Sequence, residues 1–418
     1  MAAPRSRRAR AAKAGEAPSA QAQAQAQQLH SALLSWYRQG HRDLPWRRTG
    51  DPYAIWVSEI MLQQTRVDTV KERFVQFMAR FPTVSALAAA PLEEVLALWS
   101  GLGYYARARN LHAAAREVAE RYGGQVPSDP VAVRELPGIG PYTAGAILSS
   151  AFGQQAAILD GNVIRVLSRL FAIDESPEGA ARRRYWELSE SLLPPPPPPS
   201  QKSASNDVGD FNQALMELGA TVCMPQRPVC LVCPIKAHCQ ARRDGEPERY
   251  PPRKESRAVP VVRVATLLLL RLGARGTEVL LVQRPTTGLW GGLWEPPSLP
   301  LAADESERDG LTRLLRERLG LKRQSAALSA EARPLAPFVH VLTHREMRFS
   351  PYAVALSAAA ATDEPPSLRL SEYELARWVR LGEPLALGLA SWVSALLSRA
   401  SAQAAAASIT EQRESENG

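Results

Sequence analysis

Cysteine is scarce in this 418-residue chain: there are four, and all fall between residues 223 and 239. That scarcity excludes a disulfide-stapled fold, because so local a cluster ties no distant segments together. Long apolar runs are lacking too. The strongest, "VVRVATLLLLRL", is far short of the roughly eighteen residues needed to cross a bilayer and carries arginines, so no membrane partner is expected. Aromatic residues make up only 6%, while apolar residues reach 45%, an ordinary globular composition. A chain of this length exceeds a usual single core and suggests two or three domains. A net charge of +8 and a pI near 9.5 favour an anionic partner, although so mild an excess also serves solubility.

Residues 1–28 are Arg-rich and then a Gln/Ala repeat, with no pattern to bury, and read as a disordered tail. The basic start leaves open a nuclear or mitochondrial address in a eukaryote and a nucleic-acid-seeking arm in a bacterial cytoplasm or nucleoid. Over 29–245 apolar residues recur at helical spacing, which predicts an all-helical domain. The "PPPPPP" at 194–199 interrupts it as an extended insertion. Residues 246–258 are charged and proline-rich, a linker. Strand patterns such as "EVLLVQRP" and "MRFSPYAVAL" alternate with helical ones such as "ASWVSALLSRA", so 259–399 reads as a mixed α/β domain, and 400–418 as a disordered tail.

The cysteines are spaced C-x6-C-x2-C-x5-C in "CMPQRPVCLVCPIKAHC". Two thiols separated by two residues turn readily to one centre, so Cys223, Cys230, Cys233 and Cys239 read as metal ligands rather than disulfide partners. Spacing alone leaves zinc and an iron–sulfur cluster both open.

In "DPYAIWVSEIMLQQT", Asp51 and Pro52 start a helix that carries Glu59. None of its neighbours one turn away, Ile55, Trp56, Leu62 and Gln63, is cationic. Two readings stand: a solvent-facing glutamate on an amphipathic helix, or a carboxyl in apolar surroundings with a raised pKa, fit to act as a general acid. In "ELPGIGPYTAGAIL", Gly138 and Gly140 let backbone amides approach an anion ahead of a helix N-terminus, a phosphate-binding hairpin or a simple tight turn. In "ILDGNVIRVLSRL", Asp160 reads as an N-cap, an environment expected to keep it ionised. Two carboxyl groups with opposed shifts are the pattern that cleaves glycosidic bonds.

The order of "SEIMLQQT", "GLGYYARARN", "LPGIGPYTAGAI", "ILDGNVIRV", "FNQALMELG" and the cysteine motif, followed by an α/β domain, closely resembles the adenine DNA glycosylases of the MutY family. The resemblance covers roughly residues 29–399. It implies a mainly α helix-hairpin-helix glycosylase with an iron–sulfur module, followed by an α/β Nudix-like domain. The implied activity is base-excision repair: hydrolytic removal of adenine mispaired with 8-oxoguanine or guanine in double-stranded DNA, by a monomer that extrudes the target base.

By that resemblance Glu59 is the general acid that protonates adenine at N7, and Asp160 stabilises the sugar cation at C1′. Asn162 orients them. Tyr142 stands where related lyases carry a catalytic lysine, and a tyrosine forms no Schiff base, so a monofunctional enzyme is implied. Trp46, Arg47 and Gln213 match the adenine pocket. Gln64, Thr65, Leu102 and Tyr104 match the grip on 8-oxoguanine, with Tyr104 as intercalating wedge. The four cysteines are implied ligands of a 4Fe-4S cluster whose loop, with Arg227, faces DNA. The family's Phe-Ser-His lesion loop reads here Leu342, Thr343 and His344, keeping a hydroxyl and lacking the aromatic. Glu317 is the main acidic residue of "ERDGLTRLLRERLGL", which lacks the acidic pair of a metal-dependent Nudix hydrolase, so recognition is the expected role of this domain. His340 and His344 also read simply as strand residues.

Overall fold

The computed structural model describes residues 20–196, 206–252, 259–273, 276–356, 370–383 and 385–402. Most of the expected basic tail, half of the proline run at 194–199, the second half of the linker and nearly all of the 400–418 segment lie outside them. The described residues within Met1–Pro52 and Gly140–Lys254 form one compact unit, and those within Tyr53–Ile139 and Glu255–Gly418 another.

The first unit is helical. Its first helix, Ala20–Gly40, begins inside the stretch that the sequence assigned to a disordered tail through residue 28. Alanine and glutamine are good helix formers, and the face carrying Leu29, Leu33, Leu34 and Tyr37 is buried, which holds the element in place. It packs into one core with the helices Pro141–Phe152, Gly161–Leu170, Gly179–Ser191 and Asp207–Thr221. Burial of such a face, at about 25 cal/mol per Å², is what stabilises helices whose intrinsic propensity is marginal.

The second unit joins a helical half to a sheet half. Helices Pro52–Leu62, Val67–Arg80, Val84–Ala89, Leu92–Leu98, Ala106–Arg121 and Pro130–Glu135 precede eight strands. These are β1 (Val261–Gly273), β2 (Gly276–Gln283), β3 (Trp294–Glu295), β4 (Ser298–Pro300), β5 (Arg333–Pro334), β6 (Phe338–Leu342), β7 (Arg345–Ala355) and β8 (Leu375–Arg380). The sheet runs β3-β2-β1-β7-β5, with β4 on β1, β6 on β7 and β8 on β2. Among the described strands β1 and β7 pair in parallel, Val264 opposite Phe349, and the other strand pairs are antiparallel. Buried residues of β1 and β2 meet Leu311, Leu314, Leu315 and Leu319 beneath the sheet.

The passage from the first unit to the second, between Lys254 and Glu255, falls within the linker at 246–258, and the second unit also takes in the helices of 53–139. Arg109 of the helix Ala106–Arg121 donates to the Gly291 carbonyl at 2.7 Å, Tyr105 to that of Leu389 at 2.5 Å, and the Trp294 indole to Glu93 at 3.1 Å. Among the described residues no helix is long and apolar enough to cross a membrane.

Candidate functional site

In the first unit Asp160 caps the helix Gly161–Leu170. One carboxylate oxygen accepts from the Val163 backbone N–H at 2.7 Å and the other from the Asn162 amide at 2.8 Å. Asn162 is held in turn: its Oδ1 accepts from Arg165, whose guanidinium also donates to the carbonyls of Gly219 and Cys223, all within 2.7–2.8 Å. Gly219 makes that approach possible, since a Cβ there would stand 2.5 Å from Asn162 Cβ. The expectation that capping leaves Asp160 below the ordinary carboxylate range is corrected. Burial pushes its carboxyl above the ordinary value and outweighs Val163, Asn162 and Arg165, which pull it down. Hydrogen bonds and a nearby cation offset only part of the water that folding removes.

Three residues expected in an adenine pocket share this unit. Trp46 is buried, and Arg47 donates from Nε to Gln213 Oε1 at 3.3 Å and from Nη2 to Glu217 at 2.9 Å. Glu217, 2% exposed, also takes a two-pronged contact from Arg42 at 2.8 Å. Burial drives the Glu217 carboxyl up, but the Arg42 and Arg47 guanidiniums overcome it and hold it below its usual range. Sequence reasoning missed Glu217 as the anchor of Arg47. The signal was there, because Glu217 follows Gln213 by four residues and so shares its helix face. Tyr142 points its hydroxyl at the Met216 sulfur, 3.2 Å away.

All four cysteines are free thiols, which removes the disulfide reading. They lie close enough for their charges to act on one another, and Cys223, Cys233 and Cys239 pack against the helical core. Burial pushes the Cys223 and Cys239 thiols up, and that of Cys233 to about 12. Arg169 donates to Cys223 Sγ at 3.3 Å and braces the loop through the carbonyls of Met224 and Pro225. Among the described residues no group of three or more His, Cys, Asp or Glu is drawn together round a single ion.

In the second unit Glu59 is 3% exposed, in a helix buried continuously from Tyr53 to Met61. The solvent-facing reading of this glutamate is thereby excluded. The turn after the helix carries Gln64 at φ +58°, and the loop at 99–104 carries Tyr104 at φ +46°, left-handed values that non-glycine residues rarely adopt. Thr65 Oγ1 donates to the Leu102 carbonyl at 3.1 Å. The Tyr104 and Thr343 hydroxyls meet at 2.6 Å across 239 residues of sequence. Around them Leu102, Trp290, His340, Leu342 and His344 help to line a cavity of about 410 Å³. Burial lowers the pKa of His340 and so favours its neutral form. The structure thus brings together Leu102, Tyr104, Leu342, Thr343 and His344, with Thr65 tied to them and Gln64 beside it.

Gly138 has φ +78°, and a Cβ there would meet Asn110 Cβ at 2.7 Å, so the turn requires glycine. Gly140, in the first unit, is the N-cap of the helix Pro141–Phe152 and makes no side-chain cap hydrogen bond.

Comparison with known proteins gives this geometry a context. A family model described as HhH-GPD superfamily base excision DNA repair protein matches residues 57–191, and one described as NUDIX domain matches 268–399. The "Adenine DNA glycosylase" of Homo sapiens is 40% identical over 394 residues, covering 82% of this chain and 69% of that protein. The protein of that name from Mus musculus is 39% identical, covering 83% and 74%. That of Buchnera aphidicola subsp. Baizongia pistaciae is 30% identical over 372 residues, covering 89% and 96%.

Proposed function

This chain belongs to the adenine DNA glycosylases, base-excision-repair enzymes that act on DNA, and on that premise we propose that its substrate is adenine paired with 8-oxoguanine, or with guanine, in duplex DNA. The observation that carries the reading is the Tyr104–Thr343 hydroxyl contact at the mouth of a cavity lined by the residues expected to grip the lesion. Tyr104 wedges into the duplex, and Leu342, Thr343 and His344 approach the orphaned base. The extruded adenine is received by Trp46, Arg47 and Gln213, with Glu217 locking the guanidinium of Arg47 in place.

Chemistry then needs two carboxyl groups. Glu59 hands a proton to N7, which turns adenine into a neutral leaving group as the N-glycosidic bond breaks. The Asp160 carboxylate faces the positive charge that develops at C1′, and Asn162 holds it in place. Water completes the hydrolysis. Because Tyr142 offers no amine, the strand is left uncut. The enzyme works as a monomer on double-stranded DNA, with the amides beside Gly138 and Gly140 on the phosphate backbone.

What supports a 4Fe-4S cluster is the donor set: four free thiols near enough for their charges to act on one another, with Cys223 beside Arg169 and Cys223, Cys233 and Cys239 packed on the core. Cys223, Cys230, Cys233 and Cys239 would hold it, and its contribution is to order the loop that carries Arg227 toward DNA rather than to cut the glycosidic bond. Protein purified without oxygen should be brown and carry roughly four irons per chain. Stoichiometric zinc without iron would refute the assignment.

Single-turnover base release from adenine opposite 8-oxoguanine, guanine and thymine tests the substrate. The rate should be highest opposite 8-oxoguanine, and Thr343→Val should cut the preference over guanine by a factor of about two to ten, the worth of one net hydrogen bond. Equal rates on all three duplexes would sink the lesion reading.

A further inference from the structure

Arg107 lies in none of the roles assigned so far, yet its guanidinium reaches six oxygen acceptors. Its Nη1 donates to the carbonyls of Ile60 at 2.7 Å, Met61 at 2.9 Å and Gln63 at 2.5 Å. Its Nη2 donates to Thr65 Oγ1 at 3.0 Å and to the carbonyls of Leu102 at 2.9 Å and Gly103 at 3.1 Å. The guanidinium carbon stands 5.5 Å from the centres of both the Trp99 and the Tyr104 rings.

These contacts join two structures that the reaction uses separately. Ile60 and Met61 directly follow Glu59, and their carbonyls belong to the last turn of its helix, where backbone acceptors have no partner in the helix itself. That last turn holds no basic residue of its own, so a cation brought from another helix caps it. The remaining acceptors lie in the two loops that carry Gln64 and Tyr104, both in left-handed backbone conformations. Such conformations persist only where the surroundings over-determine them. The four Nη–H donors of one planar guanidinium are shared among these six acceptors, more donors on a fixed plane than the three of a lysine ammonium.

We propose that Arg107 is a positioning residue that couples the lesion side of the site to Glu59, so that seating of 8-oxoguanine against Gln64, Thr65, Leu102 and Tyr104 fixes the helix end that carries the acid. The inference rests on the lesion reading given above. Arg107 touches neither the adenine nor the sugar; it acts through the two loops and the helix terminus.

The test is Arg107→Lys in the full chain, with single-turnover adenine release measured opposite 8-oxoguanine and opposite guanine, corrected for active fraction, alongside thermal melting. The expected result is a rate opposite 8-oxoguanine lower by about 100-fold. The preference over guanine should fall at least about tenfold with it, because positioning by the lesion is what is lost. A merely structural role lowers the active fraction or the melting temperature and leaves the ratio of the two rates unchanged, and that outcome overturns the proposal. Should Arg107→Lys fail to fold, Thr65→Val removes one acceptor from the same fork. It should reduce the preference, while Thr65→Ser, which keeps the hydroxyl, retains it; equal preference in Thr65→Val and the parent overturns the proposal as well. A parent enzyme with no preference for 8-oxoguanine overturns the lesion reading and this inference together, whereas a preference kept by Arg107→Lys overturns the inference alone.

Discussion

Glu59→Gln is expected to lower single-turnover adenine release by at least about 10²–10⁴-fold, the usual worth of a positioned general acid, while binding to the mismatched duplex stays near that of the parent. The amide preserves the shape of a side chain that is 3% exposed, so the buried helix Pro52–Leu62 should stay folded, but it has no proton to deliver to N7. Affinity for adenine opposite 8-oxoguanine, measured by electrophoretic mobility, separates the two effects. A variant that keeps near-parental rates would remove Glu59 from the chemistry. One that loses affinity and rate in equal measure would give it a binding role instead.

Asp160→Asn should disable the same step by about 10²–10³-fold, the range seen when one electrostatic stabiliser of a transition state is removed. Its effect on stability has a definite sign. Burial holds the Asp160 carboxyl above its ordinary value, so the folded protein binds this proton more readily than the unfolded chain does. The stabilising contribution of the protonated form is complete below the ordinary aspartate range and is lost as pH rises through the raised value. Asparagine caps a helix as well as aspartate does and carries no charge to desolvate. The melting temperature of the variant relative to the parent should therefore move in the variant's favour as pH rises from the ordinary aspartate range through the raised value. A difference that moves against the variant over that range would mean that the cap and the Arg165 charge, not burial, govern this carboxyl. An inactive variant with improved stability at neutral pH would mark Asp160 as a residue kept for function at a cost to the fold.

What could be read from the sequence follows from the range of the interactions involved. The cap at Asp160 was legible because Asp, Gly and Asn precede a periodic helix, and the contact that makes the cap spans three residues, to Val163. The direction of its pKa was not, because that depends on how much water neighbouring helices remove. The two readings of Glu59 could not be separated locally, since a helix buried all round and an amphipathic one differ only in what packs on them. The start of the first helix was misread because Gln/Ala repeats look disordered until Leu29, Leu33 and Leu34 find a core. Arg107 gave no signal at all: "YYARARN" places two arginines two residues apart, and only the fold sends Arg107 inward to the Glu59 helix and Arg109 to the Gly291 carbonyl.

By itself the sequence determined the order of a helical half and an α/β half, the family that its motifs mark, and a set of four thiols gathered in one loop. Each of these rests on periodicity, on residue chemistry or on spacing over a few positions, and all are properties of the chain before it folds. Only the tertiary structure decided that Glu59 is buried, that Asp160 sits above its ordinary pKa, that Glu217 locks Arg47, and that Tyr104 reaches Thr343 across 239 residues of sequence. It also decided that residues 53–139 share a compact unit with the sheet rather than with the helices that flank them in the chain. Desolvation and hydrogen bonding between distant residues depend on which surfaces meet, and no local pattern specifies that.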